Sequence, residues 1–159
     1  MHICYLSLGS NLGNKQVNLE VALEIIKKDI GEISRISSIY ETEAWGVVDQ
    51  DNFFNIIAEV KTLFFPLDLI TKILAIETRM GRIRYKKWES RIIDIDIIFY
   101  ENYIITTENL TIPHPFLEKR NFVLEPLNEL SPEFIHPRLR KSIFQLTAAC
   151  TDTSWIKRQ

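Results

Sequence analysis

RIIDIDIIFY, residues Arg91–Tyr100, is apolar enough for a buried β-strand and yet holds two aspartates, Asp94 and Asp96. Side chains alternate along a strand, so the two acids share one face while Ile93, Ile95 and Ile97 share the other. At a rise of roughly 3.3 Å per residue the two Cα atoms lie about 6.6 Å apart. Carboxylates so placed raise each other's proton affinity unless positive charge intervenes. One face of this strand therefore reads as core and the other as a candidate site.

The segments before it supply the rest of a recognisable order. HICYLSLG, His2 to Gly9, alternates as a strand, and GSNLGN follows as a turn offering Ser10, Asn11 and Asn14 as helix caps. From Lys15 to Ile30, Leu19, Ala22, Leu23, Ile26 and Ile30 recur at helical spacing, with Gly31 as the expected stop. Ser34 to Tyr40 and Phe53 to Thr62 alternate as two further strands. Pro66 opens a second helix, with Leu69, Ile70, Ile73 and Leu74 on its expected buried face and an end near Met80-Gly81. The opening stretch then completes β-α-β-β-α-β, the split-βαβ, ferredoxin-like α+β pattern, with helices against an antiparallel sheet. Beyond it we expect a short strand over Tyr103–Thr107, a turn at TIPHP, helices over Phe122–Leu130 and Arg140–Ala149, and no linker. Residues 1–159 are thus expected to form one domain.

Composition narrows the class of partner. A net charge of −2 argues against nucleic acid as a general ligand. No apolar run reaches the roughly 18–20 residues of a membrane span. The N-terminal MHICYLSLGS lacks a basic leader region and reads as a first strand. Cys4 and Cys150, far apart, suit a reducing cytosol better than a disulfide framework.

The charge is not evenly spread. RMGRIRYKKWESR, Arg79 to Arg91, carries Arg79, Arg82, Arg84, Lys86, Lys87 and Arg91 against Glu89. D-x-D alone also fits a solvent-facing strand edge, and the basic run alone also fits a solvated surface. Side by side they suit a polyphosphate bridged by a hard cation, with arginine forks on its oxygens. Phe53 and Asn55 share a strand face and offer a stacking surface and an amide to a heterocycle; a core Phe beside a satisfied Asn is the plainer alternative. His114, between two prolines, suits a structural hydrogen bond as well as a ligand contact. GSNLGNK matches neither phosphate-loop spacing, and Gly9 reads as a point of close backbone approach.

Together, YLSLGSNLG, YETEAWG, DNFFNIIAEV, ETRMGRIR, WESRIIDIDII, LTIPHP and FVLEPLNEL resemble, in order, the 6-hydroxymethyl-7,8-dihydropterin pyrophosphokinases of folate biosynthesis. W-x-x-R-x-x-D-x-D is the most specific of these blocks. The resemblance implies transfer of pyrophosphate from ATP to the pterin hydroxymethyl group, leaving AMP. It implies two Mg²⁺ ions held by Asp94 and Asp96, with Arg82 and Arg91 as catalytic arginines. It places Arg84, Lys87, Trp88, Ile97, Thr111, His114 and Arg120, beside Arg82 and Arg91, around ATP. Phe53 and Phe122 would sandwich the pterin, with Gly9, Thr42, Glu43, Trp45, Asn55 and Asp94 around it. The expected protein is a cytoplasmic monomer with no nucleic-acid or membrane partner. Glu89 and Ser90 stand where a small residue and proline are common, and Pro115-Phe116 follow the PH turn. A sensor or RNA-binding module on the same fold, and a nucleotidyltransferase using D-x-D, are the rival readings.

Overall fold

The computed structural model describes residues 1–44, 49–83 and 89–159. Strands β1, His2–Ser10, β2, Gly31–Ile36, β3, Tyr40–Thr42, β4, Phe53–Thr62, β5, Asp94–Tyr100, and β8, Ile156–Arg158, form the main sheet in the order β5-β1-β4-β3-β8, with β2 also pairing β4, and each of these pairings is antiparallel. Strand β1 lies between β4 and β5, and β4 is the central strand, paired with β1, β2 and β3. The ferredoxin-like expectation holds.

Helices α1, Lys15–Asp29, and α2, Pro66–Arg79, cover one face. Asn14 caps α1 by accepting a hydrogen bond from Val17 N at 3.1 Å, and Pro66 opens α2 at a position where its missing N–H costs nothing. Leu19, Ala22 and Ile26 from α1 and Leu69, Ile73 and Ile76 from α2 pack on Cys4, Leu6, Leu8, Ile95 and Ile97. The buried face of α2 is rotated from the expected one: Leu74 is exposed, whereas Ile76 and the carboxylate-bearing Glu77 are buried.

Gly31 does not act as a left-handed helix stop. It is the first residue of β2, Gly31–Ile36, and a Cβ there would lie 2.1 Å from the Lys61 carbonyl oxygen. The expected strand over Ser34–Tyr40 is two strands, β2 and β3, Tyr40–Thr42. Between them Ser37 leaves the ladder, its hydroxyl accepting from Ile57 N at 2.9 Å.

The second face carries α3, Asn121–Leu130, and α4, Ile143–Ala149, packed on Tyr5, Ile57, Ile98 and Phe99. A bulge makes this second core. Leu6 pairs with Ile97 but Tyr5 pairs with Phe99, so Ile98 and Phe99 both turn to this face and Tyr100 returns to the other. Helix α4 begins at Ile143, three residues later than the expected Arg140, with Ser142 and Gln145 forming a capping box. Strand β6, Ile105–Thr106, pairs with β7, Thr111–Ile112, so TIPHP begins as strand. Strand β8, Ile156–Arg158, joins the edge at β3 and had no counterpart in the sequence reading. Cys4 and Cys150 are both free. Among the described residues no helix is long and apolar enough to cross a membrane.

Candidate active site

Beyond the edge of the second core, the inner strands carry small and polar residues instead of apolar ones. Ser7 and Gly9 of β1 lie opposite Asp96 and Asp94 of β5, and Gly9 also lies opposite Asn55 of β4. A cavity of about 120 Å³ opens over them. It is lined by Gly9, Thr42, Glu43, Phe53, Asn55, Arg91, Asp94, Asp96, Arg120 and Phe122, along with Ser7 and Gln50. Residues more than a hundred positions apart in sequence thus share one recess.

Gly9 keeps the floor open. A Cβ there would stand 2.8 Å from Asn55 Oδ1 and 3.6 Å from Phe53 Cδ1. Asn55 is buried, and its amide donates to Thr42 Oγ1 at 2.7 Å, which sets the side chain's orientation across the cavity wall. Phe53 and Phe122 each have an arginine near the ring: Arg91 Cζ lies 5.9 Å from the Phe53 centroid and Arg120 Cζ 5.8 Å from that of Phe122.

The acid pair lies beside this aromatic slot. Arg82 Nη1 donates to Asp94 Oδ1 at 2.5 Å, and Arg91 Nη1 donates to Asp94 Oδ2 at 2.8 Å. Arg91 precedes the first ladder residue of β5, so the strand's alternation does not point it away from Asp94. Its backbone is held by Asn11: Arg91 N donates to Asn11 Oδ1 at 2.8 Å, and Asn11 N donates to Arg91 O at 3.2 Å. Asp96 is less engaged, with 45% of its side-chain surface open to the cavity and His114 Nε2 3.8 Å away. Its recessed position, with the Asp94 and Glu77 carboxylates, pushes its carboxyl up, against the opposing charges of Arg120 and Arg82. Burial, then the Arg120 charge, lowers the His114 imidazole, which favours the neutral ring.

Glu77 escaped the sequence reading. It is 1% exposed at the end of α2, where its carboxylate accepts from Arg82 Nη1 at 2.6 Å and from Ile95 N at 2.7 Å. One buried acid therefore ties the helix to β5 and aims the arginine at Asp94. Its position in the buried row of α2, displaced from the solvent side a glutamate ordinarily takes, is the signal that would have found it.

Other expected contacts are not assembled in this way. Ile97 is 3% exposed within the core against α1 and α2, so its side chain is away from the cavity. Strand alternation with Asp96 already implied that side. Thr111 sits in the β6–β7 hairpin and does not line the cavity. Trp45, Arg84, Lys87 and Trp88 lie outside the described residues.

Two aspartates facing a recess with arginines beside them suit a hard cation in its donor chemistry. Among the described residues there is no group of three or more His, Cys, Asp or Glu side chains that could hold a metal. A complete protein cage is thus absent there, whereas Mg²⁺ takes one or two carboxylates and fills its shell with water and phosphate oxygens.

The family model described as 7,8-dihydro-6-hydroxymethylpterin-pyrophosphokinase (HPPK) matches residues 5–132. A 2-amino-4-hydroxy-6-hydroxymethyldihydropteridine pyrophosphokinase of Aquifex aeolicus is 43% identical over 143 residues, covering 90% of this chain and 89% of that one. The folic acid synthesis protein fol1 of Schizosaccharomyces pombe is 41% identical over 85% of this chain, which spans only 19% of that longer protein. In structure, a Plasmodium falciparum HPPK-DHPS crystallised with pteroate superposes with a TM-score of 0.80 at 22% identity, over 93% of this chain and 42% of that one. The fold, the order of the motifs and these relatives agree: the chain belongs to the 7,8-dihydro-6-hydroxymethylpterin pyrophosphokinase family.

Proposed function

We propose that this cavity transfers pyrophosphate from ATP to 6-hydroxymethyl-7,8-dihydropterin, releasing AMP, as a step of folate synthesis. The observation that carries the reading is the continuity of the recess: the Phe53–Phe122 slot and the Asp94–Asp96 floor line one cavity. A flat heterocycle held in the slot would present its substituent toward the acids. Asn55 and the Thr42–Glu43 wall supply polar edges for the ring.

Asp94 and Asp96 would hold Mg²⁺, which when bound neutralises charge on the phosphate oxygens. Arg82 and Arg91, already anchored on Asp94, are placed to donate to the transferred group as charge redistributes. Arg120, in the cavity lining with its guanidinium 5.8 Å from the Phe122 ring, adds a third cation. Phe53 and Phe122 exclude water from the ring and orient the attacking hydroxyl. Neutral His114 suits a hydrogen-bonding role near Asp96, and Thr111 lies on the hairpin leading to it. Arg84, Lys87 and Trp88 would close over the nucleotide, and Trp45 would complete the pterin wall. We further propose that the protein works as a cytoplasmic monomer without a nucleic-acid partner.

The test is to incubate the protein with ATP, Mg²⁺ and the pterin and to separate the nucleotides. AMP and a pterin diphosphate are expected. Pyrophosphate released beside a nucleotidylated pterin would instead mark a nucleotidyltransferase. Asp96→Ala should lose at least about a hundredfold in turnover while keeping the fold, since its side chain faces the cavity and not a core. Normal Mg²⁺-dependent turnover in that variant would sink the assignment.

A further inference from the structure

Residues Asp152–Arg158 lie beyond the stretch that the family model matches, yet they touch both walls of the proposed pterin slot. The first contact is at the start of α3. Arg120, which precedes that helix, makes no side-chain cap hydrogen bond. The cap comes instead from Asp152, whose Oδ2 accepts from Asn121 N at 3.0 Å. Asn121 Nδ2 in turn donates to Ser154 O at 2.7 Å and to Asp152 O at 3.5 Å. Asp152 Oδ1 accepts from Ser154 N at 3.0 Å, which folds the segment around the Asn121 side chain. Asn121 is 8% exposed and stands between Arg120 and Phe122, two residues of the cavity lining.

The second contact is on the opposite wall. Trp155 N donates to Glu43 Oε1 at 2.7 Å, and Glu43 N donates to Trp155 O at 3.4 Å. From there β8 pairs with β3, Ile156 opposite Thr42. Thr42 is the residue that accepts from the Asn55 amide. One segment thus holds Phe122 through Asn121 and holds Glu43, Thr42 and Asn55 through β3.

We propose that residues 152–158 are a strap that sets the width of the pterin slot, with Asp152 and Asn121 as positioning residues for pterin binding. The proposal rests on the functional reading above, since it concerns the same slot. The acid floor is held independently, by Glu77, Arg82 and Asn11. Weakening the strap should therefore affect the pterin more than the nucleotide, which keeps the acid pair, Arg82 and Arg91 even if Arg120 shifts.

The test measures binding of 6-hydroxymethyl-7,8-dihydropterin and of Mg·ATP to wild type, Asp152→Ala and Asp152→Asn by titration calorimetry, with melting temperatures alongside. Losing both acceptors in D152A should weaken the pterin by about five- to tenfold and change Mg·ATP affinity by less than about twofold. D152N keeps one acceptor and should recover part of the loss. Asp29→Ala, which breaks the remote Arg79–Asp29 pair, should change neither affinity. Unchanged pterin affinity in folded D152A overturns the proposal. So does a matched fall in both affinities that follows the melting temperature, because that is general destabilisation. Should D152A not fold, D152N decides: selective weakening for pterin supports the strap and wild-type affinity overturns it. Wild-type protein that binds no pterin would overturn the functional reading itself.

Discussion

Glu77 shows how much of the site depends on one buried side chain. A carboxylate removed from water is stable only when paired and hydrogen-bonded, and Glu77 has both Arg82 and the Ile95 amide. Arg82 in turn bridges Glu77 and Asp94 with one nitrogen. Glu77→Gln keeps the size and an acceptor for Ile95 N while removing the charge that holds the guanidinium. We expect turnover to fall about tenfold or more with pterin affinity within about twofold, because Arg82 serves the transferred group and not the ring. Steady-state kinetics with both substrates varied would check it, and an unchanged kcat would count against Arg82 being aimed by Glu77. Gly9 makes a complementary case. Its missing side chain leaves the slot floor open, and Gly9→Ala forces Asn55 Oδ1 from a position 2.8 Å from the new carbon. That variant should bind pterin about tenfold more weakly at nearly unchanged melting temperature, since Gly9 has an ordinary extended conformation within β1. Equal pterin affinity would show that the ring does not lie over Gly9.

At the scale of elements, β2 is tied to β1, β4 and α3 by a cluster around Glu59. Tyr5 OH donates to Glu59 Oε2 at 2.8 Å and Ser34 Oγ to Oε1 at 2.6 Å, while Arg35 pairs with the same carboxylate. Arg35 Nη1 also donates to Leu130 O at 2.5 Å, at the end of α3. The Arg35 hydrogen bond, opposed by burial and aided by Ser34 and Tyr5, lowers the Glu59 pKa from 4.5 to about 2. A depressed carboxylate contributes stability that is present above its unfolded pKa, near 4.5, and is lost as pH falls toward 2. With Arg35 47% exposed the contribution is discounted to about 1–3 kcal/mol. Chemical denaturation from pH 6 to pH 2.5 should show that loss, and Glu59→Gln should flatten the curve below pH 4.5 while lowering it at pH 6. A variant as steep as wild type would assign the acid sensitivity elsewhere. The same elements show what a linear sequence conceals. Strands β1, β4 and β5 and helices α1 and α2 were legible because each repeats its apolar period over several turns or pairs. The break between β2 and β3 was not, because Ser37 satisfies Ile57 N with a hydroxyl, a substitution alternation does not register. Strand β8 has three residues, two of them basic, and exists through its pairing with β3. The acid pair, its arginines and the two phenylalanines were readable from motif order, and Glu77 could have been found from its place in the apolar row of α2, whereas the roles of Asn11 and Asp152 became visible only through their partners in space.

At the scale of the molecule, two cores lie on opposite faces of one sheet, and the site occupies the part of one face that the second core leaves uncovered. Strands β1, β4 and β5 contribute side chains to both cores, so neither face has a private scaffold. That arrangement predicts a single cooperative unit. Phe99 is the sharpest probe of it. The ring is fully buried in the second core, its centroid 4.6 Å from that of Phe134 in a tilted pair and edge-on to Tyr5, and it reaches that face only because of the bulge at Ile98. Phe99→Ala should cost about 3–5 kcal/mol by leaving a cavity under α3 and α4. If the two cores were independent, only the second would soften and two transitions would separate. Because they share their strands, the whole transition should move down as one, with calorimetric and van't Hoff enthalpies still equal. Near-ultraviolet circular dichroism, sensitive to the aromatics of the second core, and far-ultraviolet signal from α1 and α2 should then melt together. The pterin slot should weaken in the same variant, since Phe122 rides on α3, whose packing Phe99 supports. Early loss of the aromatic signal with α1 and α2 still folded would show instead that the sheet does not couple its two faces.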